Sequence, residues 1–248
     1  MTKKTRTILF TIGLVFFILA APSLILYSQG YRIDFAARKI VQTGAFYFKI
    51  SPKNVDIYLD DELSKKTSSI TGSTMIGDLA PKIYGVEIKK DGYRSWQKNL
   101  DIKEKEVTEA KDIVLFPQNI NFTVAEQKPK IIISATSSDG EKIVEYNDHE
   151  ISVKFLEDRN DPVQRKGGDK IFLARFSENL GTVFWLNNYY LIFNAGNKIK
   201  IAEIDDRNEI NIIDVAEFEN PKIFWDKSEK RLYVSSQGKL YLSDRLLP

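Results

Sequence analysis

The sequence predicts an all-β body carried behind one N-terminal transmembrane α-helix. Three observations lead there: an uncharged apolar run from Ile8 to Tyr27, short segments after Gly44 whose apolar residues alternate, and a slower repetition of strand and turn signals after Asn121. With 248 residues, 43% hydrophobic and 28% charged, the chain can bury one large core or two small ones. A net charge of +2 from 36 basic and 34 acidic side chains supplies no global field for nucleic acid, so none is expected as a partner. Cysteine is absent, which removes disulfides, a thiolate nucleophile and cysteine-ligated metals. That suits an exported chain, although cytosolic chains lack cysteine too.

The apolar run ILFTIGLVFFILAAPSLILY occupies positions 8–27. At about 1.5 Å per residue it matches a hydrocarbon core of about 30 Å. Lys3, Lys4 and Arg6 precede it, so the positive-inside rule places residues 1–7 in the cytoplasm and everything after Tyr27 outside. Ala20-Ala21 also fits the end of a cleaved signal peptide. The run continues through Leu24, Ile25 and Leu26, which favours an uncleaved anchor. Pro22 removes one backbone hydrogen bond and introduces a kink that membranes tolerate.

A short polar connector, 28–43, leads to a unit read as strands over 44–117. Phe46, Phe48 and Ile50 alternate with Tyr47 and Lys49, and Val55, Ile57 and Leu59 alternate with Asp56 and Tyr58. Period-two alternation in successive short runs signals a half-buried antiparallel sheet. Ser51-Pro52-Lys53-Asn54 and Asp60-Asp61-Glu62 supply reversals. Tyr84, Val86 and Ile88 then share a face, Lys90-Asp91-Gly92 turns the chain, and Tyr93, Trp96, Leu100 and Ile102 follow. DIVLF closes a small β-sandwich before Pro117.

The series ISPKNVDIYLDDE, DLAP and YGVEIKKDGYRSW resembles the PEGA domain, a β-sandwich module of prokaryotic envelope and surface proteins. Ser51, Pro52, Asp60, Leu79, Pro81, Lys90, Gly92, Tyr93 and Trp96 carry the resemblance, which is confined to 44–117. The Pro-Glu-Gly-Ala tetrapeptide itself is replaced by Ala80-Pro81-Lys82-Ile83, and the middle of the module departs from the pattern at Lys65–Ser69. The resemblance implies a non-enzymatic surface module that recognises protein or glycan. Tyr93 and Trp96 are its candidate interaction surface, with a core role for Trp96 as the alternative.

From 121 to 248 three segments repeat strand, turn, strand, turn, strand. Their first turns are Asp139-Gly140, Asn187-Asn188 and Lys227-Ser228; their second are Asn147-Asp148, Gly196-Asn197 and Gln237-Gly238. The spacing and the Ser-x-Asp-Gly turn resemble TolB-type or WD40-like β-propeller blades. About four blades are the usual minimum for a closed ring. Three therefore predict an incomplete propeller with open strand edges, suited to self-association or partner capture. Leu246-Leu247-Pro248 directly after the last strand reads as a truncation.

Residues with chemical potential are few. His149 lies in a hairpin turn, where a solvated role outweighs a catalytic base. Asp60-Asp61-Glu62 and Asp205-Asp206 lack the alternating ligand pattern of a calcium loop and read as solvated turns. No Gly-x-Ser-x-Gly elbow is present. Trp185 and Trp225 hold the same place in two repeats and read as core. Lys128, Lys130, Arg165 and Lys166 are scattered, and Asp158–Lys170 reads as a mobile loop between blades. Accordingly no catalytic, cofactor or metal residue is assigned. The expectation is a non-catalytic, membrane-anchored binding or scaffolding protein of the cell envelope, with an envelope protein or a cell-wall glycan as partner. A glycan-binding tether, an accessory or sensor subunit and a degenerate hydrolase are the alternatives.

Overall fold

The computed structural model describes residues 2–34, 38–126, 134–160 and 163–247. Lys128, Lys130, the Ile131–Ile133 opening of the first repeat, Asp161-Pro162 of the long loop and Pro248 lie outside the described residues. The protein is mostly β, with one N-terminal apolar helix and several antiparallel sheets. The chain divides into two compact units, one of Met1–Tyr47, Met75–Ile83 and Asp101–Thr108, the other of Phe48–Thr74, Tyr84–Leu100 and Glu109–Pro248.

The first unit opens with α1 (Lys3–Ser28), long and apolar enough to cross a membrane. Its Thr2 cap accepts from the Thr5 amide, satisfying one orphan donor of the first turn. Pro22 stands inside the helix, and Ser23 Oγ donates to Leu19 O one turn back. No side chain of α1 is buried. Two residues later β1 (Tyr31–Asp34) pairs antiparallel with β2 (Lys39–Gln42) as a two-stranded sheet, Ile33 facing Ile40. Gly44 follows at a crowded point: a Cβ there would lie 2.4 Å from Lys103 O, so only glycine fits.

Next come β3 (Gly44–Ser51), β4 (Asp56–Leu59), β5 (Glu62–Lys66), β6 (Ser73–Leu79), β7 (Ile83–Lys89), β8 (Trp96–Asp101) and β9 (Val107–Val114). They form two sheets, β6-β3-β9 and β5-β4-β7-β8. The expected alternation is present: Phe46, Phe48, Ile57, Val86 and Ile88 are all buried. Gly92 takes φ 78°, in the left-handed region that its turn requires.

In the second unit follow β10 (Phe122–Val124), β11 (Lys142–Tyr146), β12 (Glu150–Phe155), β13 (Lys170–Arg175), β14 (Phe184–Trp185), β15 (Tyr190–Ala195), β16 (Lys198–Glu203), β17 (Ile212–Glu217), β18 (Lys222–Asp226), β19 (Arg231–Ser236) and β20 (Lys239–Arg245). Their sheet orders are β11-β12-β13, β14-β15-β16-β17 and β10-β20-β19-β18. Turns at Asn187-Asn188, Gly196-Asn197 and Gln237-Gly238 fall where the spacing put them. Two features differ from expectation. The loop from Asp158 connects β12 to β13 within one sheet rather than joining two sheets, because β13 supplies that sheet's last strand. And β10, the first strand of the region, pairs with β20, the last, so the edge of β20 expected to stand open is covered.

Two apolar clusters hold these sheets. One joins the first two sheets through Val153, Phe155, Trp185, Leu191 and Phe193. The other joins the second and third through Ile192, Ile201, Trp225, Leu232 and Val234, and takes in Val114 and Phe116 from the end of β9.

Candidate functional site

The most concentrated polar chemistry in the second unit gathers around β8. Alternation buries Trp96, Lys98 and Leu100 together, so a lysine occupies a position that its neighbours fill with apolar groups. Lys98 has no exposed side-chain surface. A cation so placed needs partners, since an isolated buried charge is prohibitively costly. The end of β16 and the loop after it supply them. Lys98 Nζ lies 3.4 Å from Glu203 Oε2 and 4.0 Å from Asp205 Oδ2, and donates to Asp205 O at 2.6 Å and Glu209 O at 3.2 Å.

Glu203 accepts from Trp96 Nε1 at 3.1 Å and from Asn211 Nδ2 at 2.8 Å. Asp205 accepts two bonds from the Arg207 fork, at 3.0 and 2.6 Å, and that guanidinium also donates to Glu109 O at 2.8 Å. Burial pushes the Glu203 carboxyl above its ordinary value, with Lys98 opposing and Asp205 adding to the rise. Burial also works against a charged Asp205, but Arg207 and Lys98 outweigh it and hold that carboxyl below its ordinary value. Two cations and two carboxylates thus balance one another away from water. The two cavities beside Glu203 measure about 30 Å³ each, water-sized rather than substrate-sized. The cluster is a clamp between β8 and the 203–211 loop.

The structure corrects the reading of several residues. Trp96 is 4% exposed and hydrogen-bonded through its indole, so it presents no face to a glycan or partner. Its place in strict alternation with Leu100 is the reason. Tyr93 is half-buried, bridged to Pro117. Asp205 belongs to the clamp rather than to a solvated turn, and Asp206 pairs with Arg165. His149 is exposed in its turn. At Asp60-Asp61, both residues take positive φ, and Asp60 Oδ1 accepts from the Gly85 amide at 2.9 Å. Among the described residues no three His, Asp or Glu side chains come together as a metal site. Lys98 and Glu203 were missed by sequence reasoning; the signal was a lysine in register with Trp96 and Leu100.

Two larger concavities remain. A polar groove of about 750 Å³ runs beside β8, with Asp61, Glu87, Gln97, Asn99 and Glu209 on its walls. A cavity of about 650 Å³ is lined by Thr136, Ser137, Phe184, Trp185, Trp225 and Lys227, so each of the three sheets of the repeat region contributes. Trp185 donates its indole N–H to Ala135 O at 2.8 Å, whereas the buried Trp225 N–H has no partner among the described residues. No family model matches the chain, and no curated protein matches it either.

Proposed function

We propose that this chain is a membrane-anchored, extracytoplasmic, non-catalytic binding or scaffolding protein of the prokaryotic cell envelope. The observation that carries the reading is α1. Its 26 residues bury no side chain, and Phe10, Phe16, Phe17 and Leu19 each stay more than two-thirds exposed. Apolar surface on that scale is untenable in water and is matched by a bilayer. Lys3, Lys4 and Arg6 ahead of the apolar run support an N-terminus on the inside, by the positive-inside rule. The PEGA-like residues and the three propeller-like sheets, clasped by β10 on β20, support a body that displays loops and edges. On this reading the N-terminal helix positions the protein and the β units present its binding surface.

A second reading, a cell-wall glycan tether, draws on the 650 Å³ cavity, whose tryptophans and hydroxyls suit a sugar better than the buried Trp96 does.

The absence of cysteine makes the topology directly testable. In intact cells an impermeant maleimide should label Gln237→Cys, and should label Thr2→Cys only after lysis. Labelling of Thr2→Cys in intact cells, or of neither position before lysis, would refute the orientation. The full-length protein in detergent micelles should then be offered purified wall polymer and, separately, solubilised envelope proteins. Specific protein capture supports the scaffold. Pelleting with the polymer, lost in Lys227→Ala, supports the tether. Turnover of peptide or glycan would overturn the non-catalytic reading.

A further inference from the structure

We propose that the face of the β1–β2 hairpin carrying Ile33 and Ile40 sits in the headgroup boundary of the bilayer that α1 crosses, with Arg38 at the end of the hairpin against anionic lipid phosphates. The proposal rests on the membrane-spanning reading of α1. Ile33 and Ile40 are direct cross-strand partners, 61% and 63% exposed. On the opposite face Val41 is buried and Arg32 is partly buried, so the hairpin has an inner side already packed and an outer apolar side that stays exposed among the described residues.

The hairpin cannot stray far from the helix. Only Gln29 and Gly30 separate α1 from β1. The junction is bonded three ways: Thr43 N donates to Gly30 O at 2.9 Å, Gln42 Nε2 to Gln29 O at 3.2 Å, and Arg32 to Tyr27 O at 2.8 Å. The Arg32 guanidinium also lies over the Tyr27 ring, 3.6 Å from its centre, and bonds Asp78 at 2.7 Å. Tyr27, exposed at the end of the apolar run, stands where aromatic side chains mark the membrane–water interface. Ile33 follows Tyr31 by two strand residues, about 7 Å, a distance comparable to the headgroup layer of roughly 5–7 Å on each side of the hydrocarbon core.

Two observations favour lipid as the occupant. The apolar pair follows the membrane helix within a few residues, and the exposed Arg38 just before β2 carries the charge that anionic headgroups attract.

The test uses full-length single-cysteine variants in vesicles of phosphatidylethanolamine and phosphatidylglycerol. Ile40→Cys and Phe16→Cys each carry an environment-sensitive fluorophore, quenched either by aqueous iodide or by lipids spin-labelled near the headgroup or near the bilayer centre. The expected result is iodide quenching at position 40 about fivefold below that of the free fluorophore, with the headgroup spin label the stronger lipid quencher there and the central one stronger at position 16. Central quenching at position 16 with full iodide access at position 40 would overturn the hairpin proposal and leave the anchor standing. Protection from iodide at position 40 without lipid quenching would mean that protein covers the pair, and would also overturn it. Loss of central quenching at position 16 would remove the anchor and the proposal together.

Discussion

Lys98 shows how a single side chain can decide the cost of a fold. Its charge is buried, so its value lies in what its removal exposes: Glu203 and Asp205 would face each other with one cation fewer. Lys98→Met is expected to cost about 3 kcal/mol, read from the urea midpoint. Pairing it with Glu203→Leu should recover most of that loss, because the orphaned carboxylate disappears with its partner. The pH dependence has a definite sign. Glu203 has a raised folded value, so its contribution to stability is present below the ordinary 4.5 and is lost as pH rises through the raised value. Asp205, with a lowered value, contributes above the ordinary 3.8 and loses that contribution as pH falls through the lowered one. Glu203→Gln should therefore gain stability relative to wild type as pH climbs from about 4.5 towards neutrality. Parallel denaturation curves at several pH values check this, and a constant difference across them would refute it.

Among the elements, β14 and β18 place their tryptophans alike but satisfy them differently. Trp185→Phe gives up the indole bond to Ala135 O, whereas Trp225→Phe gives up an N–H that has no partner among the described residues. The first is expected to be the more destabilising by about 1 kcal/mol, measured as the difference between the two melting shifts. Much of this level was legible in advance. Alternation located Phe46, Phe48, Val86 and Ile88 on the buried face, and turn residues located the hairpins at Gly196 and Gln237. What stayed illegible was long-range pairing. β10 is three residues long and carries no signal naming its partner, and Phe122 to Ser243 is a contact that no local pattern encodes. The clamp was half legible: Lys98 stood out of pattern on β8, but Glu203 and Asp205 lie more than a hundred residues away on another sheet.

At the scale of the whole molecule, the apolar helix was the plainest signal, a continuous uncharged run, whereas a binding surface needs no fixed residue spacing and leaves no such mark. The clasp of β10 on β20 gives this level its own prediction. Ala125 N donates to Leu240 O at 2.8 Å, and proline at that position removes the donor. Ala125→Pro is expected to cost about 1–2 kcal/mol and to speed amide exchange in β20 more than in β15. Equal protection in both strands would refute the clasp.

That clasp also sets a timetable for synthesis. β10 leaves the ribosome more than a hundred residues ahead of β20, so it must wait for a partner that appears only once residues 239–245 are out. The second sheet, β14 to β17, is complete in order as it emerges, while the third can close only once residues 239–245 arrive. During that interval the nascent chain carries a waiting edge on β10. A chain stopped short of Lys239 would keep that edge permanently, with β19 bare beside it. For such a product the expected fate is capture by chaperones or clearance by proteases, rather than survival as a folded body with one strand fewer.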